Sequence, residues 1–141
     1  KEHGFMPIVV NVVSKEEYAQ WLAEKQGEAA QIKDLMAQTF SMDELMERGK
    51  ATYERSCLAC HGASGEGGVG TAIAGSAVAT GELAGHLNIG INGVPGTAMQ
   101  AFGSQLNDVD MAAVITYQRN AFGNNMGDMV QPIDVFNHKK G

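Results

Sequence analysis

The sequence predicts an all-α fold of three to five helices around one covalently bound group, preceded by a short strand and an extra N-terminal helix. Three observations predict it. Two Ser-x-x-Glu capping boxes, Ser14 with Glu17 and Ser41 with Glu44, each open a run of apolar residues at helical spacing. A third run, after Asn107, is apolar over more than half of its circumference. Only residues 8–13 (Ile-Val-Val-Asn-Val-Val) have the β-branched density of a strand, and the rest of the chain offers that strand no partner.

Each element follows in turn. The strand at 8–13 reads as the end of some other domain, so residues 1–26 form a remnant of strand plus helix. The Ser14 box, with Val13 and Tyr18 placed as a hydrophobic staple, starts a helix with Tyr18, Trp21 and Leu22 on one face, ending near Gly27. Residues 27–40 are mixed in character and read as a linker. The Ser41 box, stapled by Phe40 and Leu45, begins a helix whose Met42, Leu45, Met46, Gly49 and Tyr53 share a face as far as Cys57. Glycine then dominates residues 62–70, giving a backbone able to pass close to a ligand. No phosphate-loop pattern between strand and helix accompanies these glycines. A short helix spans about 82–91, and a loop carries Gly93, Pro95, Gly96 and Gly103. Asn107 caps a last helix to about Ala121, with Asp108 and Asp110 set against the macrodipole in its first turn. The main domain is thus 41–123, and 124–141 reads as a tail with a mobile end.

Composition narrows the function classes. A 44% hydrophobic fraction with only 6% aromatics, 18 glycines and 8 methionines suits a chain that wraps something flat. A formal charge of −6 argues against nucleic acid or an anionic membrane surface as partner. The longest weakly polar run, 69–80, is too short to span a bilayer. The opening at Lys1, without Met or leader, reads as a piece of something longer.

The chemistry is concentrated in Cys57-Leu58-Ala59-Cys60-His61, the only two cysteines followed directly by a histidine. This is the c-type haem attachment pattern: each sulfur adds to a haem vinyl group and the imidazole binds iron from one side. A thioredoxin-like Cys-x-x-Cys expects a preceding strand, whereas helical spacing precedes Cys57. Zinc would need two more ligands, and His3, His86 and His138 stand alone. For the second axial ligand the best candidate is Met99, 38 residues after His61 in the loop Gly93-Val94-Pro95-Gly96-Thr97-Ala98-Met99. Met111 reads as core, Met126 and Met129 lie in the tail, and His86 reads as a surface or haem-edge residue. A His/Met pair raises the reduction potential and closes both axial positions, which suits outer-sphere electron transfer.

A helix, Cys-x-x-Cys-His, a glycine-rich loop and a last amphipathic helix come in the order of a class I cytochrome c. Two stretches resemble a narrower family, the C-terminal part of caa3-type cytochrome c oxidase subunit II with its fused cytochrome c domain. Glu2-His3-Gly4-Phe5-Met6-Pro7 is similar to the end of the dinuclear copper (CuA) motif. Residues 93–103, with Ile115-Thr116-Tyr117-Gln118-Arg119-Asn120, resemble the haem domain. The resemblance implies one haem c on Cys57 and Cys60 with His61 and Met99 as axial ligands. It also implies that His3 and Met6 are remnant CuA ligands that bind no copper in this chain, since the other ligands lie upstream in the family. The role implied is an electron relay, not an enzyme by itself. It accepts electrons from a donor cytochrome or quinol-oxidising complex and passes them to the CuA centre of its own subunit, beside other oxidase subunits. The setting implied is the periplasmic side of the cytoplasmic membrane in a membrane-anchored parent, with 28–40 as a tether. The alternatives are a diffusing class I cytochrome c, and a haem gas sensor or peroxidase-like enzyme with a displaceable sixth ligand.

Overall fold

The computed structural model describes residues 10–141, so His3 and Met6 lie outside the described residues. Six helices are present among them: α1 (Lys15–Ala37), α2 (Met42–Ser56), α3 (Leu58–His61), α4 (Leu83–Asn92), α5 (Asp108–Asn120) and α6 (Pro132–Lys140). The all-helical class is as expected, but the short strand is not found. Residues 10–13 are irregular, and Val12 is 96% exposed. A strand persists only when a neighbour takes up its backbone groups, and none does so among the described residues.

α1 begins at its capping box, with the Ser14 amide donating to Glu17 Oε2 at 2.8 Å and the Glu17 amide to Ser14 Oγ at 3.2 Å. It then runs 23 residues to Ala37, through the segment expected to be linker. One glycine inside a helix costs only about 1 kcal/mol relative to Ala. Lys25 and Glu28 pair across Gly27 at 2.8 Å, and Glu28, Ala29, Ala30 and Gln31 are good helix formers. The chain divides within this helix into two compact units, 1–33 and 34–141.

The second unit is built on α2 and α5. The Ser41 box caps α2 reciprocally with Glu44, and Leu45, Gly49, Thr52 and Tyr53 turn inward. A Cβ on Gly49 would run into the Ala113 carbonyl and come within 2.6 Å of Tyr117 Cβ, so the two helices cross backbone to backbone. Beside the crossing, Tyr53, Tyr117 and Phe122 form an aromatic triangle with centroids 5.6, 5.1 and 5.4 Å apart. Asn107 caps α5 through the Asp110 amide, and Met111, Ala112, Ala113, Val114, Ile115 and Thr116 are all buried.

The tail is also ordered helix, contrary to the expectation for 124–141. Gln131 caps α6 reciprocally with Asp134, Pro132 sits in its first turn, and Val135 and Phe136 are buried. The Phe40 amide donates to Gln131 Oε1 at 3.0 Å, and Gln131 Nε2 donates back to the Phe40 carbonyl at 2.9 Å. In the last turn of α5, Arg119 is 2% exposed. It forks onto Asp128 at 3.0 and 2.8 Å and donates to the Gly81 carbonyl at 3.0 Å. Asn124 donates to the carbonyls of Ile73 and Gln118 and accepts from the Gly75 amide. The end of α5 thereby fastens residues 73–81. No helix among the described residues is long and apolar enough to cross a membrane.

Candidate functional site

The Cys57-to-His61 spacing becomes geometry through α3. A single helical turn follows Cys57, with the amides of Cys60 and His61 both donating to the Cys57 carbonyl, at 3.1 and 3.0 Å. Positions i, i+3 and i+4 of such a turn share a face, so both sulfurs and the imidazole address the same space. Gly62, at φ +82°, then turns the chain back, and Tyr53 holds it by donating to the Gly62 carbonyl at 2.7 Å. The amides of Gly67 and Gly70 return to the carbonyls of His61 and Cys60, each at 2.8 Å. Glu66 closes the turn by accepting from the Ser64 amide, and such backbone donors hold its carboxyl below the usual carboxylate range.

His61 is oriented by what this loop brings to it. Gly70 lies against the ring, where a Cβ would stand 2.9 Å from Cε1 and 3.0 Å from Nδ1. The Thr71 carbonyl is 2.7 Å from Nδ1. A carbonyl only accepts, so Nδ1 carries a proton here and Nε2 is the nitrogen left for a metal, the arrangement in which a backbone acceptor fixes a metal-binding imidazole.

Met99 comes from the loop that follows α4. α4 ends at Gly93, where φ is +67° and a Cβ would meet the Met99 carbonyl at 2.5 Å. The Val94 amide donates to that carbonyl at 2.9 Å. Thr97 Oγ1 accepts from the Met99 amide at 3.1 Å and donates to the Val94 carbonyl at 2.8 Å. The loop is thus tied to itself, and Met99 is half-buried.

Cys57, Cys60, His61 and Met99 all line one cavity of about 350 Å³, walled by Ile73, Val78, Phe102, Leu106 and Met111. Among the described residues, no Asp, Glu, Lys or Arg lines it. The volume falls within the roughly 300–1,000 Å³ of cofactor and ligand sites. Met111 is buried in the core, and Met126 and Met129 are exposed, so neither tail methionine enters the cavity wall.

His86, read from the sequence as a surface or haem-edge residue, is not at the surface. It is 5% exposed, and its Nε2 lies 2.8 Å from Gln118 Oε1, bridging α4 to α5 at the cavity wall. Its Nδ1 is buried without a hydrogen-bond partner. Burial pushes its pKa down to about 4, outweighing the Gln118 bond that raises it, so the ring is neutral near pH 7. Sequence reasoning missed the contacts of Thr71, Gln118 and Arg119, whose partners lie across tertiary contacts without local signature.

The rival uses of these cysteines fare poorly. Burial, with Cys60 beside it, pushes the Cys57 thiol up to about 11, the reverse of the lowered pKa of a redox-active thiol. No group of three or more His, Cys, Asp and Glu able to hold a metal ion occurs among the described residues. The residues do suit a haem. Two thiols on one helical turn, an oriented imidazole, a soft thioether lining the same cavity, and a wall without charged side chains among the described residues match its vinyl groups, iron and flat, largely apolar macrocycle.

A family model described as cytochrome c oxidase, cbb3-type, subunit III matches residues 44–117, just over half of the chain. The matched span begins in the first turn of α2 and ends in α5, taking in the whole attachment turn and Met99. No curated protein matches the chain.

Proposed function

We propose an electron-carrying role for this chain, which belongs to the cytochrome c family described as cytochrome c oxidase, cbb3-type, subunit III. Cys57 and Cys60 would hold one haem c through thioether bonds, and His61 and Met99 would bind its iron. What supports the reading above all is the convergence of these four side chains on one uncharged cavity. When bound, the haem supplies a reversible one-electron change at iron. The chain's own residues do the rest. The Thr71 carbonyl and Gly70 hold the imidazole in one tautomer and one plane. The bonds among Val94, Thr97 and Met99 keep the thioether in reach, and the apolar wall excludes water. Such a site has fixed ligands and little to reorganise, which suits electron transfer.

The finer reading is the haem domain of a caa3-type oxidase subunit II on the periplasmic side of the membrane. It takes electrons from a donor cytochrome or quinol-oxidising complex and passes them to the CuA centre. The similarity of residues 2–7, 93–103 and 115–120 to that family supports it. Intact mass after acidic organic extraction, with the visible spectrum, tests the first level. One covalent haem and a weak Met-to-iron charge-transfer band are expected, the band vanishing in Met99→Ala. A high-spin form that binds CO at once would instead favour the sensor or enzyme. For the second level, reduced chain is mixed with a soluble CuA domain. Rapid loss of the reduced haem band is expected, and a failure to react would reject the assignment.

A further inference from the structure

The loop that carries Met99 is fastened where it ends. The amides of Phe102 and Gly103 return to the carbonyls of Gly90 and Ile91 in α4, at 3.2 and 2.9 Å. A Cβ on Gly103 would stand 2.9 Å from the Ile91 carbonyl oxygen, so the chain leaves the loop hard against that helix. The Gly103 carbonyl goes to a different element. Lys139, in the last turn of α6, donates to it at 3.0 Å and to Asp108 Oδ1, in the first turn of α5, at 2.7 Å. One ammonium therefore joins the end of the Met99 loop to α5 and α6. The Lys139 side chain is 26% exposed and that of Asp108 15%, so water screens this junction less than an open surface pair. α6 is itself fixed, by buried Val135 and Phe136 and by the clasp of Gln131 on Phe40. It lies beyond residues 44–117, the span that the family model matches.

We infer that Lys139 is a positioning residue for the sixth iron ligand: by holding Gly103 to α5 and α6 it keeps the 93–103 loop shut and Met99 in the cavity wall. The inference rests on the assignment of Met99 as axial ligand and deepens it. A loop opens locally at a free energy set by the bonds that fasten it, which is smaller than that of unfolding the whole unit. A charge-assisted bond at its end, anchored to a packed helix, raises that local cost. The brace thus helps to separate an electron carrier from a haem whose sixth position is open to outside ligands.

Imidazole added to the oxidised, haem-loaded chain tests this. It can replace the Met99 thioether only in molecules whose loop has opened, so its apparent affinity is its intrinsic affinity multiplied by the open fraction. Lys139→Met keeps an apolar stem and removes the ammonium. The apparent affinity, read from loss of the Met-to-iron band, should rise by about fivefold or more. Asp108→Asn, which takes away the carboxylate partner, should shift it in the same direction by a smaller factor. Ser41→Ala, which weakens a helix cap outside the loop, should leave it at the native value. An unchanged affinity in Lys139→Met, or in Asp108→Asn should the first variant not fold, would overturn the inference. An equal rise in Ser41→Ala would also overturn it, because the opening would then be that of the whole unit. A native chain with covalent haem but no Met-to-iron band would sink the Met99 assignment, and this inference with it. That result appears before any imidazole is added.

Discussion

The second unit contains two kinds of construction side by side. Where α2 meets α5, side chains interlock: a glycine lets backbones touch, three rings pack together, and Arg48 pairs with Asp110 at 2.7 Å on the rim. From Gly62 to Gly103 the chain is held mainly by its own amides and carbonyls, with φ between +65° and +93° at six glycines. The first region is a scaffold that tolerates no added atom. The second is a wall shaped by backbone turns, which leaves room for a flat guest. Specificity for that guest thus resides where side chains are smallest.

Substitutions can separate the two regions. The largest effect is expected for Gly49→Val, which drives carbons into the Ala113 carbonyl and Tyr117. Overpacking there should cost about 3 kcal/mol or more, seen as loss of cooperative thermal unfolding. Gly70→Ala, by contrast, should displace the His61 ring and alter the haem spectrum while leaving the melting temperature nearly unchanged. Equal destabilisation by both would erase the distinction between scaffold and wall. Arg119→Ala leaves Asp128 and the Gly81 carbonyl without their partner. About 2–3 kcal/mol should be lost in urea titration, below the range for a fully buried pair because Asp128 is partly exposed.

His86 gives a pH signature that spans the two regions. Its folded pKa, about 4, lies below its usual 6.5. The unfolded chain therefore takes up the proton first on acidification, and stability falls as pH drops from about 6.5 towards 4. The loss should be about 2 kcal/mol between pH 7 and 4.5, and His86→Gln should lack it. Equal pH slopes in the two proteins would refute this account. The smallest effect is expected for Ser41→Ala, which removes one cap acceptor at the start of α2 and should lower unfolding free energy by about 1 kcal/mol.

What was legible in the sequence was local. Ser14, Ser41 and Asn107 announced helix starts because a cap is made within three residues. Cys57, Cys60 and His61 were legible because five consecutive residues specify a helical turn with three reactive groups on it. α1 was cut short at Gly27 by giving one glycine more weight than the good helix formers after it. α6 was missed among Asn and Gly residues, although Pro132 at its start, Asp134 in its first turn and His138-Lys139-Lys140 in its last are start and stop signals. The His86–Gln118 and Arg119–Asp128 pairs depend on how helices and loops meet, which no local pattern encodes.

Phe40 and Gln131 exchange their two hydrogen bonds across 91 positions. A polypeptide made from its N-terminus at roughly 5–20 residues per second releases Cys60 some 4 to 14 seconds before Gln131. Until then this clasp is open, and the sulfurs belong to an unfinished fold. The start of α2 is therefore fastened to the start of α6 only after Gln131 has been added to the chain.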